Sequence, residues 1–170
     1  MRVAGIILAV AAALALQTTL AWFVTRGTVA VDFVLVAVVY VALTTGPTAG
    51  LLAGTLGGLA QDALTSGSIT GIGGLSKTIV GFVTGIIGTQ FIVLQSVPRF
   101  VVFFVATVVH QAVFIGLYVL LDARHFGTPY ADVAEQAIGN AVVGVVTFQM
   151  VELLPGAMER RRTTKRRPQR

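Results

Sequence analysis

The sequence predicts an all-α membrane protein, a bundle of six transmembrane helices. Three observations carry that expectation. Of the 170 residues, 55% are hydrophobic and only 11% are charged, whereas a soluble domain carries about 25% charge. Such a chain cannot cover a water-facing surface. Its apolar residues fall into six runs parted by short polar links. Glycines recur four apart inside two consecutive runs, at Gly50, Gly54 and Gly58, then at Gly81 and Gly85. Residues four apart stack on one helical face. A face without side chains lets a second helix approach closely, which favours helix association in lipid. Residues 1–157 are assigned to the six-helix domain and 158–170 to a basic cytoplasmic tail, read as disordered.

The first run, Val3 to Val24, is interrupted only by Gln17, Thr18 and Thr19. It is long enough to span, since roughly 20 residues cross the hydrocarbon core. A cleaved signal peptide is the rival reading, with Arg2 ahead and small residues near Ala21. The many later runs favour a first span. Asp32 stands where its carboxylate can cap the second helix, Phe33 to Thr45, by accepting from free backbone N–H groups. Thr44-Thr45-Gly46-Pro47 makes a tight turn, and Pro47 is suited to open the third helix. That helix covers Thr48 to Leu64. The fourth covers Leu75 to Leu94, with Gly81, Gly85 and Thr89 four apart and Gly88 beside them. Two glycine-faced helices joined by a short link are expected to pack as a close antiparallel pair. Internal packing is the first use expected of these faces, and partner docking the second.

The fifth run, Phe100 to Leu121, is bulky, with Phe103, Phe104, Phe114 and Tyr118. It is expected to face lipid or a partner. His110 and Gln111 lie near its middle. A proton relay or a ligand contact is one reading of His110. One histidine with no carboxylate at helical spacing is a poor relay, so the preferred reading is a hydrogen bond to another helix. The longest polar link, Asp122 to Asp132, leads to the sixth helix, Val133 to Leu154. Gln136, Asn140 and Gly144 are spaced four apart along it and form one polar, small face turned inward.

The stretch from Gly46 to Gly74 organises the chain. Gln61 and Asp62 end the third helix, Ser66-Gly67-Ser68 breaks it, and Lys77 stands in the next apolar run. Intramembrane charges usually need a partner. Gln61, Asp62 and Lys77 are therefore expected to form a polar lock at the hairpin tip. The alternative puts Asp62 near the headgroups and lets Lys77 snorkel there.

No cysteine is present, so disulfides and thiolate chemistry are excluded. No HExxH, Walker A or GxSxG pattern and no pair of intramembrane carboxylates occurs. No catalytic residue, cofactor or metal is expected. The net charge of +5 comes almost entirely from the tail cations Arg160, Arg161, Arg162, Lys165, Arg166, Arg167 and Arg170. A short basic block after a membrane helix reads as an orientation signal or an anionic-lipid contact, not as a nucleic-acid site. Six spans put both termini in the cytoplasm. The inside then holds Arg2, Arg99 and the seven tail cations, against Arg26 and Arg124 outside, as the positive-inside rule requires.

Asp32 ahead of an aliphatic helix, Gly46-Pro47, Gly50-x-x-x-Gly54, and Gly57-Gly58-x-x-Gln61-Asp62 followed by a small-residue loop through Gly71 and Leu75 form a pattern. That pattern resembles the MreD family of rod shape-determining membrane proteins. The likeness covers nearly the whole chain and is most specific over residues 46 to 81. Thr44-Thr45, where basic residues would be expected, and Lys77 depart from the family pattern. The resemblance implies a non-enzymatic scaffold in the cytoplasmic (inner) membrane, part of the bacterial elongasome that builds peptidoglycan. It implies binding to the transmembrane helix of MreC, and work beside RodA, its penicillin-binding transpeptidase and MreB. A homo-oligomer stays open. The family fold is also similar to the substrate-binding subunits of energy-coupling-factor transporters, so vitamin uptake is the alternative function. Short outer loops and a single tryptophan, Trp22, favour the scaffold. The turn from Ala63 to Gly74 is the expected contact with the extracytoplasmic part of a partner.

Overall fold

A computed structural model describes residues 3–24, 31–65, 69–90, 95–121 and 130–153. They form six helices: α1 (Val3–Val24), α2 (Phe33–Thr45), α3 (Pro47–Leu64), α4 (Ile72–Gln90), α5 (Ser96–Leu120) and α6 (Tyr130–Leu153). Helices α1, α4, α5 and α6 are long and apolar enough to cross a membrane. Helix α2 has 13 residues, or about 20 Å at 1.5 Å per residue, short of a hydrocarbon core of about 30 Å. Helix α3 is diluted by Gly50, Gly54, Gly57, Gly58, Gln61 and Asp62.

Helix α2 is apolar on every side, the pattern of a helix buried all round. It occupies the centre. Val34, Val38 and Val41 pack with Ile6, Val10 and Ala13 of α1 and Ala49 and Ala53 of α3. Leu35, Val36 and Val39 pack with Val80 of α4, Phe103 and Ala106 of α5, and Ala141 and Phe148 of α6. Asp32 caps α2 as expected, its Oδ1 accepting from the Leu35 N–H at 2.9 Å. Gly46 turns the chain with φ +108°, and Pro47 is the first residue of α3.

The α3–α4 hairpin is held backbone to backbone. A Cβ placed on Gly50 would land on the Gly81 carbonyl oxygen, and one on Gly81 would land on the Gly50 carbonyl oxygen. One on Gly54 would land on the Lys77 carbonyl, one on Gly58 would lie 2.6 Å from Gly74 Cα, and one on Gly85 would lie 2.6 Å from Pro47 N. Each step of one turn along α3 is matched by one turn back along α4, which fixes a single antiparallel register. Thr55 and Thr78 join hydroxyls across it at 2.8 Å. The glycine faces thus serve internal packing.

Two features differ from the sequence expectation. Helices α4, α5 and α6 begin at Ile72, Ser96 and Tyr130, three or four residues before the expected Leu75, Phe100 and Val133. In α5, Pro98 falls in the first turn, where N–H groups have no intrahelical acceptor to lose. The expected end of α4 at Leu94 lies outside the described residues. The α5 aromatics do not all face outward: Phe103 and Tyr118 are buried. Phe103 fills the notch left by Gly144, where a Cβ would lie 2.6 Å from its ring.

Candidate functional site

Because α2 is short and central, its N-terminus opens inside the bundle rather than at the surface. Asp32 there is 4% exposed. Its Oδ2 lies 2.7 Å from Lys77 Nζ of α4. The same ammonium is 3.2 Å from His110 Nε2 of α5. An ammonium only donates, so Nε2 accepts and the imidazole proton sits on Nδ1. Nδ1 is buried and has no hydrogen-bond partner among the described residues. The His110 ring stacks on Phe114, with centroids 5.8 Å apart.

Three more side chains close around the same backbone. Asn140 of α6 is fully buried. Its Oδ1 accepts from the Asp32 N–H at 2.9 Å, and its Nδ2 donates to Thr107 Oγ1 of α5 at 3.2 Å. Gln17 of α1 accepts from the Phe33 N–H at 2.8 Å and donates to the Val31 carbonyl at 3.3 Å. Helices α1, α4, α5 and α6 therefore all send polar groups to the head of α2. Removing two charges from water costs several kcal/mol per ion, and their attraction offsets this only with good geometry and further hydrogen bonds. Few rotations and depths of these helices satisfy every partner at once. The cluster sets helix positions, and it offers no nucleophile oriented by a base.

The polar lock between Asp62 and Lys77 is corrected. Lys77 pairs with Asp32, while Asp62 Oδ2 accepts from the Gly71 N–H at 2.8 Å and the Gly74 N–H at 3.1 Å. The free N–H groups at the start of α4 stand directly before the end of α3, and a carboxylate there also meets the positive end of the helix dipole. This cap explains the early start of α4. It also explains Gly73, since a Cβ there would collide with the Asp62 carboxylate, its Cγ only 3.0 Å away. Gln61 takes no part in the ion pair, and its buried Oε1 is without a partner among the described residues. Asp62→Ala is expected to lower stability by about 1–2 kcal/mol, the usual cost of a lost cap. Thermal unfolding in detergent reads this as a lower midpoint, with Asp62→Asn close to the parent. Equal midpoints for Ala and parent would remove the capping role.

The family model described as "MreD: rod shape-determining protein MreD" matches residues 2–155. The chain belongs to the MreD family. No curated protein and no solved structure matched it. MreD is a family of shape-determining structural membrane proteins, so this chain acts in rod shape determination.

A second group of polar residues of this MreD-family chain lies between α5 and α6. Gln136, Asn140 and Gly144 do line up as expected: Gln136 accepts from Gln111, Asn140 joins the central cluster, and Gly144 receives Phe103. At the opposite end of these helices, Arg99 makes a two-pronged contact with Glu152, Nη1 to Oε2 at 3.1 Å and Nη2 to Oε1 at 2.6 Å. The guanidinium also lies 4.5 Å from the centre of the Phe148 ring. Sequence reading missed this clamp, although Arg99 near the start of α5 and Glu152 near the end of α6 fall at the same end of an antiparallel pair. The proposed lipid contacts Arg160, Arg161, Arg162, Lys165, Arg166 and Arg167 lie outside the described residues.

Proposed function

We propose that this MreD-family chain is a non-enzymatic scaffold of the elongasome. It binds the transmembrane helix of MreC and helps position RodA, its penicillin-binding transpeptidase and MreB in the inner membrane. The family match over residues 2–155 is the observation that carries this reading. The polar interior supports it, because its charged groups are engaged in joining helices. A scaffold needs a rigid body with fixed faces, and glycine-to-backbone packing supplies one. The charge asymmetry supports cytoplasmic termini. In that orientation the α3–α4 turn faces outward and can meet the extracytoplasmic part of MreC. The basic tail then meets anionic lipid, at roughly 1 kcal/mol per cation near the surface. Tagged full-length chain co-expressed with MreC and purified in mild detergent is expected to retain MreC through size exclusion. A folded chain that emerges without MreC would overturn the reading.

A further inference from the structure

We propose that Tyr118 is a positioning residue: its hydroxyl holds the backbone of the outer turn, Ile69 to Gly74, in the shape that meets the extracytoplasmic part of MreC. This rests on the scaffold reading and names the group that shapes its outward contact.

Tyr118 lies about 3 Å from the end of α5, at 1.5 Å per residue. A tyrosine near a helix end ordinarily sits at the headgroups. Tyr130, at the start of α6 and the same end of the bundle, is 79% exposed, whereas Tyr118 is 2% exposed. A buried phenol needs a hydrogen-bond partner. Its oxygen accepts from the Ile69 N–H at 3.0 Å. A phenylalanine would fill the same space, so the hydroxyl is what reaches the turn.

The rest of this backbone is held as well. The Ile69 carbonyl accepts from the Ile72 N–H at 3.3 Å. Asp62 takes the N–H groups of Gly71 and Gly74. Side chains of two other helices, Tyr118 of α5 and Asp62 of α3, thus bind the turn from within. The residues they leave exposed are Ile69 and Thr70. Water alone could satisfy the N–H groups of a surface turn. Fixing them beforehand removes an ordering cost that binding would otherwise carry. The chemistry presented is an apolar side chain followed by a hydroxyl. It fits a partner segment with an apolar residue against Ile69 and a hydrogen-bonding group beside it.

Tyr118 is itself fixed from behind. Its ring packs on Phe114, with centroids 4.9 Å apart. Phe114 stacks on His110, and His110 accepts from Lys77 of the buried ion pair. His110, Phe114 and Tyr118 are four apart on α5 and share one face. A group locked by packing and hydrogen bonds behind it holds its place more closely than one on a loose support. The same line sets the end of α5 beside the α3–α4 turn, on one side of the membrane, as six spans require.

The test is Tyr118→Phe in the full chain co-expressed with MreC. Exchange of the Ile69 amide, read by NMR with isotope-labelled isoleucine in detergent, is expected to quicken about ten-fold, and retained MreC to fall about five-fold, as loss of one hydrogen bond of ordinary net strength implies. Ile69→Ser is expected to lower retained MreC at a parental unfolding midpoint, and this result decides the matter if Tyr118→Phe does not fold. Quickened exchange with full MreC recovery in Tyr118→Phe would make the hydroxyl a structural tie only and overturn the proposal. Unchanged Ile69 exchange in that variant, or full MreC recovery with Ile69→Ser, would overturn it too. Wild-type chain that retains no MreC would overturn the scaffold reading itself.

Discussion

Gly54→Leu is expected to abolish the folded bundle. A Cβ at this position would lie 2.6 Å from the Lys77 carbonyl carbon and 2.8 Å from Thr78 Cα. Both are backbone atoms, so neither can turn aside as a side chain would. Helices α3 and α4 would have to separate. The Gly50–Gly81 and Gly58–Gly74 contacts share the same register and would open with them. Thr55 and Thr78 would lose their 2.8 Å hydrogen bond. Overpacking in a core costs about 1–3 kcal/mol, occasionally more, even where the surroundings can yield. Here they cannot, and a loss above about 5 kcal/mol would consume much of a total stability of about 5–15 kcal/mol. Membrane levels of the variant should collapse and cells relying on it should lose rod shape. Normal levels with a parental unfolding midpoint would show that the hairpin is not held by backbone contact.

Lys77→Met should destabilise the bundle by about 3–5 kcal/mol, the cost of leaving a buried charge without its partner. The stranded group is Asp32, 4% exposed and 2.7 Å from the ammonium in the parent. His110 Nε2 would lose its donor in the same step. Asp32→Asn with Lys77→Met should recover much of the loss, since Asn also caps a helix well and no buried charge is left without its partner. Equilibrium unfolding in detergent of the two single variants and the double variant would measure the coupling. A Lys77→Met chain as stable as the parent would refute the pairing. The companion cycle of Asp62→Ala with Lys77→Met should be additive to within about 0.5 kcal/mol, because the hydrogen bonds of Asp62 to Gly71 and Gly74 and the contacts of Lys77 with Asp32 and His110 involve different groups.

The six helices were legible because each is an apolar run ended by turn residues, and lipid leaves a helix few other states. The α3–α4 pair was legible too: glycines at equal spacing on two consecutive runs admit close approach along their length. The inward line of Gln136, Asn140 and Gly144 followed from the same periodicity. Helix starts were less legible, since α4 is capped by Asp62, a residue of the preceding helix, across the turn.

The identity of buried partners was the part that could not be read. Asp62 and Lys77 are near in sequence and share a hairpin, yet Lys77 turns to Asp32, and Asn140 reaches the Asp32 amide from α6. The amino-acid sequence by itself determined that this chain lives in lipid, that it forms helices, and that two of them meet on bare backbone. These are local properties of hydropathy and spacing. Only the tertiary structure decided which charge neutralises which and which side chain caps which helix. Those depend on the depth and rotation of each helix about α2, and packing among all six sets both.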